Sequence, residues 1–342
     1  MSSSLPARVI ILLQSPGIAA ALRPVASLYL TIPLLGALLY GCAAAPGRDA
    51  GDLPPLQLAD HSLGLEAVER EVITPDLLAV DDEMRAFVER YTSGMSNRRQ
   101  RLKALHRSVK GAGVLGIEYD PAAEGTAIET FHRGTANCLS YASLFIALAR
   151  EADLNAAYQF LEVRPQWTRM GERVAVRLHV NVALRLSPRE QFMVDIDPLP
   201  SRDIAGSREI SVTDAQALHH KNVAMEALAS GDLRSAWVHA VRARQLSPDM
   251  AHLWVNMGAI YRHAGQHGEA EKNYLYALQL DPTDRSAMTN LVVLYRLEDR
   301  QEELDYWLAQ VERYREDNPY YHAWLGDQAG EAADWRAALG HY

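Results

Sequence analysis

The chain has 342 residues, of which 48% are hydrophobic and 23% are charged. These proportions are ordinary for a globular protein, and the length suffices for two domains with separate cores. The formal net charge of −9 argues against general nucleic-acid binding, because a phosphate-binding surface normally needs an excess of basic residues. The two cysteines, Cys42 and Cys138, lie in such different surroundings that we expect no disulfide framework.

The first 42 residues have the parts of a secretory signal. Arg8 and Arg23 precede an apolar run at residues 25–40, and small residues surround Cys42. The four residues that end at Cys42 resemble a bacterial lipobox, which implies that Cys42 is lipidated and becomes the mature N-terminus. Because Ala43 is not an aspartate, the resemblance to Gram-negative lipoproteins implies an outer-membrane anchor that faces the periplasm. Two alternatives stay open: an uncleaved membrane anchor, or cleavage to a soluble form.

Residues 43–62 are small, proline-bearing and polar, and this composition predicts a flexible tether. From Leu63 the pattern becomes helical, so we place the start of the first domain there. Apolar residues at helical spacing predict helices over residues 81–91 and 98–109, and a short extended segment at 117–121 follows.

Cys138 is predicted to open a buried helix. A turn of small residues precedes it, Asn137 is suited to capping, and the run 143–150 is apolar at helical spacing. The free N–H groups and the dipole at a helix start stabilise negative charge, so we expect this position to lower the pKa of the Cys138 thiol. A cysteine with these properties is a candidate nucleophile.

A strand and a polar loop are predicted after this helix. Residues 156–163 alternate as a strand, and the loop 164–172 separates them from the next one. Trp167 in this loop has two interpretations, because a loop residue of this kind either rims a site or covers the edge of the core.

Two further strands carry the partners that a cysteine nucleophile needs. Alternation predicts a strand over 174–186 that carries His179, and a second strand over 191–197 that carries Asp195 and Asp197. The two aspartates have the same parity, so alternation does not choose between them. Asp195 lies nearer the middle of its strand, and we favour it as the residue that orients the imidazole.

Four segments of this region together resemble the transglutaminase-like superfamily, and in particular bacterial lipoproteins that fuse such a domain to tetratricopeptide repeats. They are residues 130–142, 147–150, 179–182 and 194–195. The resemblance implies an α+β fold similar to papain-like cysteine proteases over residues 63–210. It also implies that Cys138 is the nucleophile, His179 its base and an aspartate the third member. Asp197 stays as the alternative to Asp195, because the orienting aspartate precedes a proline in many members.

Two groups are candidates for stabilising a negative oxygen during such a reaction. The backbone N–H of Cys138 faces the helix start and is one candidate donor. His132 stands where papain-like enzymes keep a glutamine, so its imidazole is a second candidate.

A period of 34 residues organises the chain from residue 217 to residue 342. Four residues of the first unit recur 34 positions later: Gly231 and Gly265, Ala236 and Ala270, Ala243 and Ala277, Pro248 and Pro282. This period resembles tetratricopeptide repeats, which are pairs of antiparallel helices, and predicts an all-α solenoid. The third unit has Asp299 in place of glycine, and the fourth stops at Tyr342 inside its second helix, so the last unit is expected to be incomplete.

The first helices of the repeats carry a basic stripe on an otherwise acidic protein. If the units stack as usual, the concave surface receives Lys221, Arg262, His263 and Arg296. Such a stripe suits an acidic peptide tail or a terminal carboxylate, and the alternative is an ordinary solvated helix face. The histidine pairs lack cysteine or acidic ligands in the same pattern, so we predict no metal site.

The leading functional hypothesis is an envelope-anchored cysteine enzyme that hydrolyses, or exchanges, an amide bond in a peptide or protein recruited by the repeats. It needs no cofactor, and its expected partners are that substrate, a protein in the repeat groove and the membrane through the lipid anchor. The alternative is a catalytically silent platform with the repeats as an interaction scaffold. A peptidoglycan amidase shares the chemistry but ranks lower, because the chain has no obvious glycan-binding segment.

Overall fold

The computed structural model describes residues 53–59, 61–163, 179–316 and 318–342. The predicted signal segment 1–42 with Cys42, and the loop residue Trp167, lie outside the described residues. The described part mixes helices and sheet and contains two hydrophobic cores. None of its helices combines the length and the apolarity that a membrane crossing needs.

The chain enters the described part through a small antiparallel ladder. Strands β1 (Leu56–Gln57) and β2 (Ser62–Leu63) pair, and helix α1 (Leu65–Glu71) follows. Leu56 and Leu63 are buried in the second core, together with α1. Our prediction placed residues 43–62 in a flexible tether and started the first domain at Leu63. Among the described residues of this segment, Leu56 packs into the second core beside Leu63, because a few apolar side chains are enough to attach a polar segment to the later helices.

Four helices and a parallel pair of short strands build the first half of the domain that carries Cys138. The helices are α2 (Asp82–Thr92), α3 (Arg98–Lys110), α4 (Ala127–Arg133) and α5 (Cys138–Glu151). Strand β3 (Glu118–Tyr119) pairs with β4 (Thr135–Ala136) just before α5. Residues 139–149 are all buried, and α2 and α3 pack beside them. Helix α5 is therefore the centre of the first core.

A four-stranded antiparallel sheet covers α5. Its strands are β5 (Asn155–Val163), β6 (His179–Ser187), β7 (Glu190–Val194) and β8 (Ile204–Ile210), in the order β7-β6-β5-β8. Strand β7 ends at Val194, so Asp195 follows the strand and does not lie in its middle as predicted. The sequence analysis did not predict β8, which is a largely exposed edge strand and lacks the apolar alternation that marks a half-buried strand.

Eight described helices follow β8 and pack as consecutive pairs. They are α6 (Val212–Ala229), α7 (Leu233–Leu246), α8 (Ala251–His263), α9 (His267–Leu280), α10 (Arg285–Leu297), α11 (Gln301–Glu316), α12 (Pro319–Glu331) and α13 (Trp335–His341). The second helices of the four pairs begin at residues 233, 267, 301 and 335, so the helices keep the 34-residue period of the sequence.

The turn inside each pair has the same backbone conformation. Gly231, Gly265, Asp299 and Ala333 have φ angles of 83°, 74°, 56° and 60°, which lie in the left-handed region that favours glycine. Asp299 therefore adopts the conformation that glycine has in the first two units, although aspartate has a side chain that this region disfavours.

Both hydrophobic cores include residues of the helices that follow β8. The first core, around α5, includes Ala215, Ala217 and Leu218 of α6. The second core joins α1 to the later helices, and its members include Trp237 and Trp254. Helix α6 thus packs directly on the domain that carries Cys138.

Candidate active site

The local sequence places Cys138 at the first position of α5. Gly134 ends α4 with a φ of 80°, which only glycine adopts without strain, and β4 then leads to Asn137. The Asn137 side chain accepts a hydrogen bond from the Ser140 N–H at 2.9 Å, and the Ser140 hydroxyl accepts one from the Asn137 N–H at 3.0 Å. This reciprocal cap satisfies two donors of the helix start and fixes the position of Cys138.

Cys138 is a half-buried residue, and its thiol contacts the beginning of β6. The Val180 N–H donates a hydrogen bond to its sulfur, and Val180 follows His179 directly in the chain. The thiol therefore lies beside the strand that carries the predicted base.

The surroundings of Cys138 raise the pKa of its thiol. Burial is the main cause, and the negative charges of Glu124 and Asp195 act in the same direction. The Val180 hydrogen bond and the Lys221 ammonium lower the pKa, but their combined effect is smaller than the increase that the other groups cause. Our prediction of a lowered pKa was wrong, because it considered the helix start and not the desolvation of the sulfur.

His179 and Asp195 form the closest ionisable pair of the site. Nε2 of His179 lies 2.6 Å from Oδ2 of Asp195, and both side chains are buried. Asp195 also accepts hydrogen bonds from the Asn181 amide at 3.4 Å and from the Asp197 N–H at 3.1 Å. The carboxylate therefore holds the imidazole through Nε2, which leaves Nδ1 as the ring nitrogen that can exchange a proton.

The structure distinguishes between the two aspartates that the sequence left open. The Asp197 side chain is exposed and only its backbone N–H points at Asp195, whereas Asp195 is buried against the imidazole. Within the described residues, the His179 imidazole hydrogen bonds to Asp195, and the Cys138 sulfur accepts a hydrogen bond from the Val180 N–H.

Two residues that sequence reasoning missed lie behind the carboxylate. Lys110 donates to the Ile196 carbonyl at 2.9 Å and lies 5.9 Å from the centre of the Tyr141 ring. Burial lowers the pKa of Lys110, while Asp195 and Asp197 act to raise it. Burial, with a contribution from the Asp195 charge, raises the pKa of Tyr141. These groups give the Asp195 region a positive charge and an apolar wall. No local pattern in the sequence marks Lys110, and Tyr141 lies in the segment 130–142 without a role assigned to it there.

Glu124 connects the start of α5 to α6. One carboxylate oxygen is 2.9 Å from Nδ1 of His219, and the other accepts hydrogen bonds from Asn137 at 2.7 Å and from Asn222 at 2.6 Å. The sequence analysis missed this cluster because its members come from three separate segments.

One of the predicted auxiliary residues, His132, occupies a place away from Cys138. Nε2 of His132 is 2.7 Å from the Asp81 carboxylate, at the start of α2, and its Nδ1 is 3.8 Å from Glu83. The imidazole of His132 is thus paired with α2, which argues against the donor role that we considered for it. Cys42 lies outside the described residues.

The four residues of the predicted basic stripe lie on first helices of the pairs. Arg262 is half-buried and hydrogen bonds to the Tyr274 hydroxyl, while His263 and Arg296 are exposed. Lys221 differs from the other three, because it is half-buried on α6 and interacts electrostatically with Cys138.

Comparison with known proteins agrees with this geometry. Residues 85–196 match the family model of the transglutaminase-like superfamily. This segment is a transglutaminase-like domain. The matched segment contains Cys138, His179 and Asp195, and it ends two residues before Pro198.

A second comparison concerns a much shorter stretch. Over 62 residues the chain is 44% identical to Protein O-mannosyl-transferase TMTC1 of Homo sapiens. The match covers 18% of this chain and 7% of that protein, so it carries no activity over to this chain.

Proposed function

We propose that the transglutaminase-like domain is a cysteine enzyme that hydrolyses an amide bond in a peptide or protein. Cys138 is the nucleophile, His179 the general base and acid, and Asp195 the residue that holds the imidazole in place. The observation that carries the proposal is the 2.6 Å contact between Nε2 of His179 and Asp195, next to a half-buried cysteine at a helix start.

The proposed reaction needs only groups of this chain and water. Nδ1 of His179 takes the Cys138 proton while the sulfur attacks the carbonyl carbon, and the backbone N–H of Cys138 stabilises the oxygen that becomes negative. The intermediate collapses, the C–N bond breaks and the imidazolium gives its proton to the leaving amine. Water, deprotonated by His179, then attacks the thioester and releases the carboxylic acid and the free thiol.

Hydrolysis of a peptide library tests this proposal. The full chain is incubated with the library, and new amino termini are identified by mass spectrometry. We expect cleavage by the wild type and by Cys42→Ser, and no cleavage by Cys138→Ser or His179→Ala. Cys42→Ser is the matched control because it removes the other cysteine of the chain. Cleavage that survives in Cys138→Ser would contradict the proposal, and a labelled amine in the mixture reports exchange in place of hydrolysis.

The proposed setting is the bacterial cell envelope. The segment that ends at Cys42 supports a lipid anchor, and the 34-residue helix pairs support a tetratricopeptide array that recruits a protein partner. Metabolic labelling with a fatty acid tests the anchor: label is expected on the wild type and not on Cys42→Ser.

A non-catalytic platform is the second candidate. The observation that favours it is the raised pKa of Cys138, because a thiol that stays protonated is a weak nucleophile. The same library decides between the two, since a platform releases no peptide from any member while it still binds a protein partner.

A further inference from the structure

Helix α3 ends beside the carboxylate that holds the imidazole. Leu102, Leu105 and Val109 attach α3 to the first core, and Lys110 is the last residue of the helix. Lys110 is half-buried, and its ammonium donates a hydrogen bond to the Ile196 carbonyl at 2.9 Å. Most lysines keep the ammonium in water, so this contact with a defined main-chain atom sets Lys110 apart from a solvated surface lysine.

Ile196 is the middle residue of a turn that begins at Asp195. Oδ1 of Asp195 accepts a hydrogen bond from the Asp197 N–H at 3.1 Å, which is the pattern of an Asx turn. Oδ2 of Asp195 lies 2.6 Å from Nε2 of His179. Each carboxylate oxygen therefore has a partner of its own, and the conformation of the turn determines how the carboxylate faces the imidazole.

Lys110 supplies a hydrogen-bond donor to this turn. Ile196 is 9% exposed, and a buried carbonyl needs a donor. The negative charges of Asp195 and Asp197, on either side of Ile196, attract the ammonium. Lys110 also lies 5.9 Å from the centre of the Tyr141 ring, which belongs to α5. The ammonium thus connects the end of α3, the turn and the helix that carries the thiol.

We propose that Lys110 is a positioning residue of the candidate active site: it holds the turn 195–197, and through this turn it keeps the Asp195 carboxylate against Nε2 of His179. The inference rests on the proposed function, because it adds a residue to the same reaction. Since Lys110 acts through Asp195, we expect its effect on the chemical steps, in kcat, and not on the binding of the peptide.

Substitutions at Lys110 test the inference on peptides that the wild type cleaves. Lys110→Met removes the donor and the charge but keeps the apolar stem, and it is expected to lower kcat on the order of 10- to 100-fold with KM within about 3-fold. Lys110→Arg keeps a charged donor and is expected to retain most of the wild-type kcat. Lys103→Met is the matched control, because Lys103 is exposed on the same helix. Equal kcat in Lys110→Met and Lys103→Met would overturn the inference.

A double-substitution cycle shows whether Lys110 acts through Asp195. In an Asp195→Asn background the carboxylate is already absent, so an added Lys110→Met is expected to lower kcat further by less than about 3-fold. A merely structural role of Lys110 predicts that the two losses multiply, and that result would overturn the inference. Thermal unfolding of each variant shows whether a loss reflects misfolding. If Lys110→Met is misfolded, Lys110→Gln takes its place, because it is also neutral and its side chain is only one bond shorter.

Nitrogen-15 NMR of the His179 imidazole separates this inference from the proposed function. If the wild type cleaves no peptide, the proposed hydrolysis fails, and the tautomer of His179 still tests Lys110. Because Nε2 faces Asp195, the neutral imidazole of the wild type is expected to carry its proton on Nε2. Lys110→Met is expected to show a mixture of the two tautomers, and His179→Gln identifies the signal by its loss. A wild-type tautomer in Lys110→Met overturns the inference.

Discussion

The Cys138 thiol is expected to be protonated at neutral pH in the resting protein. Burial raises its pKa above the ordinary value, so the thiolate fraction, and with it the rate of alkylation by iodoacetamide, should still be rising above pH 8.5. The rate is measured against pH in a Cys42→Ser background, where Cys138 is the remaining cysteine. A rate that reaches its plateau below pH 7 would show instead that a thiolate forms in the resting protein.

Asp195 and Asp197 offer a matched pair of substitutions. Asp195→Asn removes the charge that supports an imidazolium at His179 and is expected to lower kcat/KM by about 10²- to 10⁴-fold. Asp197→Asn changes an exposed side chain and is expected to leave kcat/KM within about 3-fold, a difference below 1 kcal/mol. The comparison is made on any peptide that the wild type cleaves. Equal losses of kcat/KM in the two variants would contradict the proposal that Asp195 holds the His179 imidazole in place.

Sequence reasoning proposed those candidate residues that have a local signature. A capped helix start and an alternating strand are visible within ten or so residues, which is why Cys138 and His179 could be proposed from the sequence. Glu124 and Lys110 have no such signature, because their role arises only when separate segments pack together. The pKa of Cys138 was mispredicted for the same reason, since desolvation depends on atoms that are distant in the chain.

At the scale of single elements, Gly258 limits how closely α8 and α9 pack. A Cβ atom on Gly258 would lie 2.6 Å from the ring of Tyr274, a side chain that is fully buried. Gly258→Ala is therefore expected to lower the free energy of unfolding by about 1–3 kcal/mol, because the core has no space for the methyl group. Urea unfolding followed by circular dichroism measures the change.

Gly268 provides the control for this substitution. It lies in the first turn of α9, and a Cβ atom there would meet no atom within 4 Å. Gly268→Ala is expected to raise the free energy of unfolding by up to about 1 kcal/mol, because alanine has the higher helix propensity. If both variants shift stability in the same direction, backbone propensity and not the contact with Tyr274 determines the effect.

The elements that the sequence predicted well are those with strong periodicity. Helix α5 has a long run of apolar residues and the pairs α6–α9 follow the 34-residue period, whereas β8 has exposed residues at most of its positions. Strand β1 is only two residues long, and its one buried side chain, Leu56, gives too little pattern to oppose the prediction of a tether. Short edge elements of this kind are decided by tertiary packing.

At the scale of the whole molecule, stability is expected to fall as the pH is lowered. His220 contacts His239 at 3.0 Å and Thr74 at 3.1 Å, and burial, helped by the charges near it, lowers the pKa of His220 to about 3. The unfolded chain protonates this imidazole below about pH 6.5 while the folded protein does not, so stability is lost between about pH 6.5 and pH 3. The buried His252 acts in the same way.

The pH dependence of urea unfolding between pH 7 and pH 5 measures this effect. His220→Gln is expected to reduce the slope of the unfolding free energy against pH by up to about 1.4 kcal/mol per pH unit, the value for one proton. His132 supplies a contrast, because Asp81 raises its pKa and its contribution is present at low pH and lost as the pH rises. His132→Gln should therefore leave the slope below about pH 6.5 unchanged, because both states are protonated there. A wild-type slope in His220→Gln would be inconsistent with a neutral buried imidazole.

Helix α6 belongs to both halves of the molecule, since it supplies Ala217 and Leu218 to the core around α5 and also begins the helical pairs. A gene fragment that stops after β8 would leave the core around α5 without the residues that α6 contributes to it. When this domain is transferred to another protein, or its boundaries are compared with those of other proteins, the segment should therefore extend to the end of α6 at Ala229.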